Sequence, residues 1–78
     1  MAELLAYLAR ELVDDPEAVR VEEEERDGAL VLVLYVAPDD VGKVIGRQGR
    51  IARALRTLVR ASATRDGRRV LVEIADPE

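Results

Sequence analysis

The sequence predicts an α+β fold in the order αββααβ, a three-stranded mixed sheet with its helices packed on one face. Three observations lead there. A leucine stripe opens the chain, an Asp27-Gly28 pair joins two strand-like runs, and two helix-like segments separate the second of those runs from a last alternating one. A strand–helix–helix–strand segment must be a crossover, which sets its two strands parallel with both helices on the same face. The first helix then packs against the sheet on that side or lies across its end.

Each element has its own signal. From Ala2 to Val13, Leu4, Leu5, Leu8 and Leu12 recur at helical spacing. Asp14-Asp15-Pro16 ends that helix, because Pro16 disfavours helical geometry in the residue before it. Val19–Glu25 and Ala29–Val36 are strand-like, and both residues of Asp27-Gly28 tolerate the positive φ of a tight hairpin turn. The second strand, Leu30 to Val36, is apolar throughout, as suits a central strand covered on both faces. The first carries Glu22 to Glu25, which suits a solvated edge whose charges discourage further pairing. Pro38-Asp39-Asp40 opens a short helix, with the acids at its positive dipole end. That helix runs to Ile45 and stops at Gly46. A second begins at Gly49 and continues to Ala63, with one apolar face formed by Ile51, Ala54, Leu55, Leu58 and Ser62. Thr64–Gly67 reads as a turn and Arg69–Ile74 as the last strand, and residues 76–78 are expected to fray.

Length and composition set limits. Seventy-eight residues leave room for one domain, 1–78, with one core. A domain of this size buries only about 60 % of the surface its unfolded chain exposes, so a dimer interface is a natural source of extra stability. Cysteine and histidine are both absent. That excludes disulfides, thiol chemistry, zinc fingers and imidazole bases. No apolar run approaches the ~18–20 residues that span a bilayer, and Glu3 stands where a secretory signal carries basic residues. The expectation is a soluble, cytoplasmic protein with no membrane partner.

Charge supplies the first functional clue. The net charge is −4, yet the segment from Lys43 to Arg69 carries nine basic residues and one acid, while the remainder carries three basic and fifteen acidic residues. The two parts are therefore +8 and −12. Such polarity attracts phosphate to one face of an acidic molecule. Within the basic segment, Gly46-Arg47-Gln48-Gly49 separates two helices. Gly46 can cap the first helix with positive φ, and Gly49 lets another chain approach the backbone closely. The N–H groups that open the next helix, flanked by Arg47 and Arg50, suit an anion. Arg50, Arg53, Arg56 and Arg60 share one face of that helix with no acid to offset their mutual repulsion.

These residues carry a family resemblance. Val44-Ile45-Gly46-Arg47-Gln48-Gly49-Arg50-Ile51 resembles the V-I-G-x-x-G-x-x-I signature of KH domains. Ile51 follows Gly49 by two positions rather than three, as is common in the bacterial branch. The αββααβ order resembles the type II, bacterial arrangement, and the full length is similar to the short single-KH proteins of the KhpA family. The resemblance implies a groove beside the loop that holds about four nucleotides of single-stranded RNA. Gly46, Arg47, Gln48 and Gly49 would hold the backbone, and Lys43, Arg50 and Arg53 would supply charge. Val44, Ile45, Ile51 and Ala54 would form the apolar floor or the core beneath it, the core being the better reading for Ile45 and Ile51. Arg65 and Arg68, in a variable loop from Ala63 to Arg68, would close the far side. It also implies a homodimer, or a heterodimer with a KhpB (Jag)-type KH protein, acting as an RNA chaperone or post-transcriptional regulator.

Other readings fit less well. A nucleotide-binding P-loop needs Gly-Lys-Ser/Thr at a helix start, whereas Lys43 precedes the glycines and no Ser or Thr follows them. No base, metal-ligand spacing or cofactor motif supports an enzyme. The chain has no Phe or Trp, and Tyr7 and Tyr35 lie outside the loop and its flanking helices. Binding without stacking platforms rests on phosphate contacts and is weakly sequence-specific. A protein-interaction module that keeps the KH fold without its RNA role is the main rival.

Overall fold

The computed structural model describes residues 1–63, 67 and 69–75. Six main elements follow the expected order: α1 Ala2–Leu12, β1 Arg20–Arg26, β2 Ala29–Tyr35, α2 Val41–Ile45, α3 Arg50–Ala63 and β3 Val70–Ile74. Single 3-10 turns at Pro16–Ala18, Pro38–Asp40 and Arg47–Gly49 join them. Val13 has already left α1 for extended geometry, although its N–H still donates to Ala9 O. The short helix expected from Pro38 is a 3-10 turn followed by only five α-helical residues. The expected turn at Thr64–Gly67, apart from Gly67, and the tail 76–78 lie outside the described residues.

The sheet order is β1-β2-β3, with β1 antiparallel and β3 parallel to the central β2. Asp27 and Gly28 both have positive φ (52° and 80°), so Arg26 pairs directly with Ala29 across a two-residue turn. All three helices cover the Leu30–Leu32–Leu34 face, and α1 takes the first of its two expected positions, beside α3 on the sheet. The core joins Leu5 and Ala9 of α1, Leu32 and Leu34 of β2, Val44 of α2, Leu55 and Val59 of α3, and Val70 and Val72 of β3. Leu5, Leu32 and Leu34 are wholly buried, each stabilising the fold by about 1.5–3 kcal/mol.

The helix-free face of the sheet is closed differently. Arg26 of β1 bonds both carboxylate oxygens of Glu73 on β3 (3.0 and 3.1 Å) and also pairs with Glu24. Arg26 stands opposite Ala29 and Glu73 opposite Val33, so the arginine stem crosses β2 at Val31, which is fully buried. Further along, Tyr35 donates to Glu22 and lies 4.3 Å beneath the Arg20 guanidinium. The all-apolar central strand is thus covered on both faces, by helices on one and by charged side chains on the other.

The helical stripes differ from their sequence prediction. On α1 the buried residues are Leu5, Ala6 and Ala9, while Leu12 is partly exposed. On α3 they are Ala52, Leu55, Val59 and Ala63, while Leu58 is half exposed. Alanine lets each helix lie close to the sheet, and the bulkier leucines turn toward one another. They leave an open apolar groove of about 230 Å³ lined by Leu8, Glu11, Leu12, Ile51, Ala54, Leu55 and Leu58.

Candidate nucleic-acid interface

The loop from Gly46 to Gly49 is a single tight turn held by its own backbone. Gly46 N–H donates to Gly42 O (2.8 Å), ending α2, and Gly49 N–H donates back to Gly46 O (3.1 Å). Arg50 N–H donates to Arg47 O as α3 begins. The amides of Gly49 and Arg50 are therefore engaged within the turn, a correction to the expectation that the helix opens on bare donors. The amides of Arg47 and Gln48 take part in none of these bonds.

The two glycines do different work. Gly46 has φ 76° and ψ 173°, a region open essentially to glycine alone. A Cβ there would stand 2.3 Å from Ile51 Cγ1, so the first turn of α3 packs directly on its Cα. Gly49 also has positive φ (73°), yet nothing lies within 4 Å of where its side chain would be. Its outer surface is open to an approaching chain. Between them Gln48 adopts left-handed geometry (φ 59°, ψ 24°), and its side chain, like that of Arg47, is exposed.

The arginines near this turn are held by no carboxylate. Every ion pair among the described residues uses Arg20, Arg26 or Lys43. Arg47, Arg50, Arg53, Arg56 and Arg60 take part in none of them. Arg50 reaches Gln48 Oε1 (3.4 Å), and Arg56 Nε donates to Val72 O on the outer edge of β3 (3.2 Å). Seven of the sixteen acids lie on β1 and in the α1–β1 connection. The surface is thus a glycine turn and a helix start bearing uncompensated guanidinium groups, and no cluster of three or more potential metal-ligating side chains occurs among the described residues.

The model of the KhpA/KhpB KH-domain family matches residues 2–74. The chain belongs to that family. It is 53 % identical to the RNA-binding protein KhpA of Caldanaerobacter subterraneus over 95 % of this chain and 99 % of that one. It is 55 % identical to the RNA-binding protein KhpA of Treponema pallidum (95 % and 92 % covered) and 50 % identical to that of Halalkalibacterium halodurans (97 % and 100 % covered). A crystal structure of Era from Aquifex aeolicus superposes with a TM-score of 0.67 at 22 % identity, covering 94 % of this chain and 28 % of Era, and shows the fold alone. The family is one of KH proteins rather than enzymes, and the αββααβ order with a mixed sheet is the type II KH arrangement.

Against the KH pattern, the predicted site residues divide into three groups. Gly46, Arg47, Gln48, Gly49, Arg50 and Arg53 form one continuous stretch, in which the four side chains Arg47, Gln48, Arg50 and Arg53 are exposed. Val44 is fully buried core rather than groove floor. Ile45 is half-buried, and Ile51 and Ala54 face the α1–α3 groove. Arg65 and Arg68 lie outside the described residues.

Lys43 is the exception within the set. Its ammonium lies 2.9 Å from Asp14 Oδ2 and 3.1 Å from Asp40 Oδ1, and these two carboxylates hold its pKa above the ordinary lysine value. Asp40, treated in sequence as one of two dipole acids, is 2 % exposed. Burial by itself raises the pKa of that carboxyl. Hydrogen bonds from Lys43 and from the amides of Asp15 and Asp14 outweigh it and leave the value below the ordinary one. Asp40 carried no local signal, because two of its partners lie about 25 residues earlier in the chain.

Proposed function

We propose that the protein binds single-stranded RNA through the Gly46–Gly49 loop, with Arg47, Arg50 and Arg53 neutralising phosphates. The observation that carries this reading is the set of loop and α3 arginines without carboxylate partners, beside a turn whose Gly49 surface is open. A surface selected for stability alone would pair such a row with acids, since like charges at helical spacing repel. The family supports the same ligand, its curated relatives being RNA-binding proteins.

The RNA is held mainly by its backbone. Tyr35 is already stacked under Arg20 on the far face of the sheet, and Tyr7 lies on α1, so stacking platforms are not at hand. The binding is accordingly salt-sensitive and weakly sequence-specific. Arg65 and Arg68 close the far side of the groove in this reading. One short groove gives modest affinity, and a homodimer or a partnership with a KhpB-type KH protein supplies a second. The cellular role is RNA chaperoning or post-transcriptional regulation in the cytoplasm, without a cofactor.

The test is the double substitution Arg47→Asp, Gln48→Asp. Asp tolerates the left-handed geometry of position 48, so the turn is kept while two anions meet the phosphates. Affinity for a short single-stranded RNA is expected to fall by ~10-fold or more, with a shallower salt dependence. A folded double variant that binds like the parent rejects the site. A parent with no RNA affinity at low salt leaves the protein-interaction module as the better reading.

A further inference from the structure

We propose that Asp40 and Lys43 are positioning residues that fix the Gly46–Gly49 loop, and that Lys43 does not itself touch the nucleic acid. This rests on the RNA-binding reading and assigns two of its residues a role different from the one the sequence predicted for Lys43.

The helix that presents the loop has little means of holding itself. α2 is five residues long, and a helix that short does not persist on its own hydrogen bonds. It is pinned from outside, at a point distant in sequence. Asp40, at its N-cap position, accepts the Asp15 amide on Oδ2 (3.0 Å) and the Lys43 ammonium on Oδ1 (3.1 Å). Lys43, in the middle of α2, reaches a second carboxylate at Asp14 (2.9 Å). These contacts tie α2 to the chain leaving α1. The tie continues into the loop, because Gly42 O, the carbonyl beside Lys43, takes the Gly46 amide (2.8 Å).

The same geometry removes Lys43 from the list of available cations. Its one positive charge faces two carboxylates within 3.1 Å, so the cluster of Asp14, Asp40 and Lys43 is net negative. A phosphate drawn there would meet an anionic surface. Arg47, four residues after the pinned Lys43, meets no such carboxylate.

The contact and positioning roles predict different salt slopes when Lys43 is neutralised and opposite signs when Asp40 is, so charge-removing substitutions separate them. The probe is a fluorescein-labelled twelve-nucleotide oligouridylate, titrated across a salt series at a temperature where circular dichroism shows each variant folded. Lys43→Gln and Asp40→Asn are expected to weaken binding by about 2- to 30-fold, the range for residues acting through a neighbouring element. Their salt slopes should equal the parent's, whereas Arg47→Gln should reduce the slope by about 0.7, the value for one lost phosphate contact on a single strand. Asp14→Asn, at a well-exposed carboxylate, keeps the fold and should not raise affinity. Lys43→Arg, which can still reach both acids, should bind as the parent does.

Loss of slope in Lys43→Gln overturns the proposal, as does a gain of affinity in Asp14→Asn or Asp40→Asn, since both are the marks of a direct contact. Unchanged affinity in folded Lys43→Gln overturns it too, because the cluster would then serve stability alone. Amide hydrogen exchange at Gly46, Gly49 and Arg50, whose N–H groups are bonded within the turn, gives a readout without RNA. It should quicken in Lys43→Gln but not in Arg47→Gln, and equal rates overturn the positioning role even if the parent fails to bind the probe.

Discussion

Replacing Gly46 by alanine tests how the loop is built, and its effect can be worked from the structure. The backbone there, at φ 76° and ψ 173°, is a conformation that costs a residue with a side chain about 1–3 kcal/mol. The new methyl would also stand 2.3 Å from Ile51 Cγ1, 2.9 Å from Ile51 Cβ and 3.0 Å from Ile51 N. No rotamer of Ile51 relieves this, since its Cβ and N are fixed by α3, and overpacking of that kind costs about 1–3 kcal/mol more. The sum, about 2–6 kcal/mol, is a large share of the roughly 4–12 kcal/mol expected for 78 residues. Gly49→Ala is the control. It carries positive φ without a neighbour in the way, and should cost only about 1–2 kcal/mol. Urea denaturation followed by circular dichroism reads both. A further Ile51→Ala substitution removes the Cγ1 contact and leaves Cβ, so the double variant should lose less than the two single losses added together. Equal destabilisation by Gly46→Ala and Gly49→Ala would refute the claim that α3 packs on the glycine.

Two other outcomes are expected. Asp40 and Glu73 have folded pKa values below their ordinary ones, so the stability they add is present above about pH 4 and is lost as pH falls through those lower values. Asp40→Asn should therefore lower stability at neutral pH and flatten the acid limb below about pH 4, and a limb as steep as the parent's would contradict the burial of an ionised Asp40. If the groove between α1 and α3 is where copies meet, Leu58→Asp should shift the protein toward monomer in sedimentation while leaving the fold intact, because Leu58 is already half exposed. An unchanged sedimentation profile would remove that groove as the contact.

The order of elements was legible because each rests on local chemistry. Asp27-Gly28 dictates its own turn, Pro16 and Gly46 end helices, and the crossover rule places β3 beside β2. The helical faces were less legible. A pattern of apolar residues weights bulk, so it found the buried Leu5 and Leu55 along with the more exposed Leu12 and Leu58, and passed over the buried Ala6, Ala9, Ala52 and Ala63. In the candidate site, the glycines and free arginines could be read from their spacing. Val44 was left open between floor and core, and Lys43 as a tied cation could not be read, because each depends on contacts between α2 and distant segments. An aspartate whose anion is sheltered by amides from another part of the chain looks, in sequence, like any acid at a helix start.

The bond from Arg56 to the Val72 carbonyl bears on how copies of this chain can meet. In the parallel pairing, Leu30 N–H donates to Arg69 O and Ala75 N–H donates to Leu34 O, so Val70, Val72 and Ile74 turn their peptide groups outward. A foreign strand joining there would first have to evict a guanidinium from one of the acceptors it needs. The opposite rim, with four successive glutamates, repels a second copy of itself. Extension of the sheet from molecule to molecule is obstructed at both rims, so a copy that docks must do so against a face of the domain and not along an edge of its sheet.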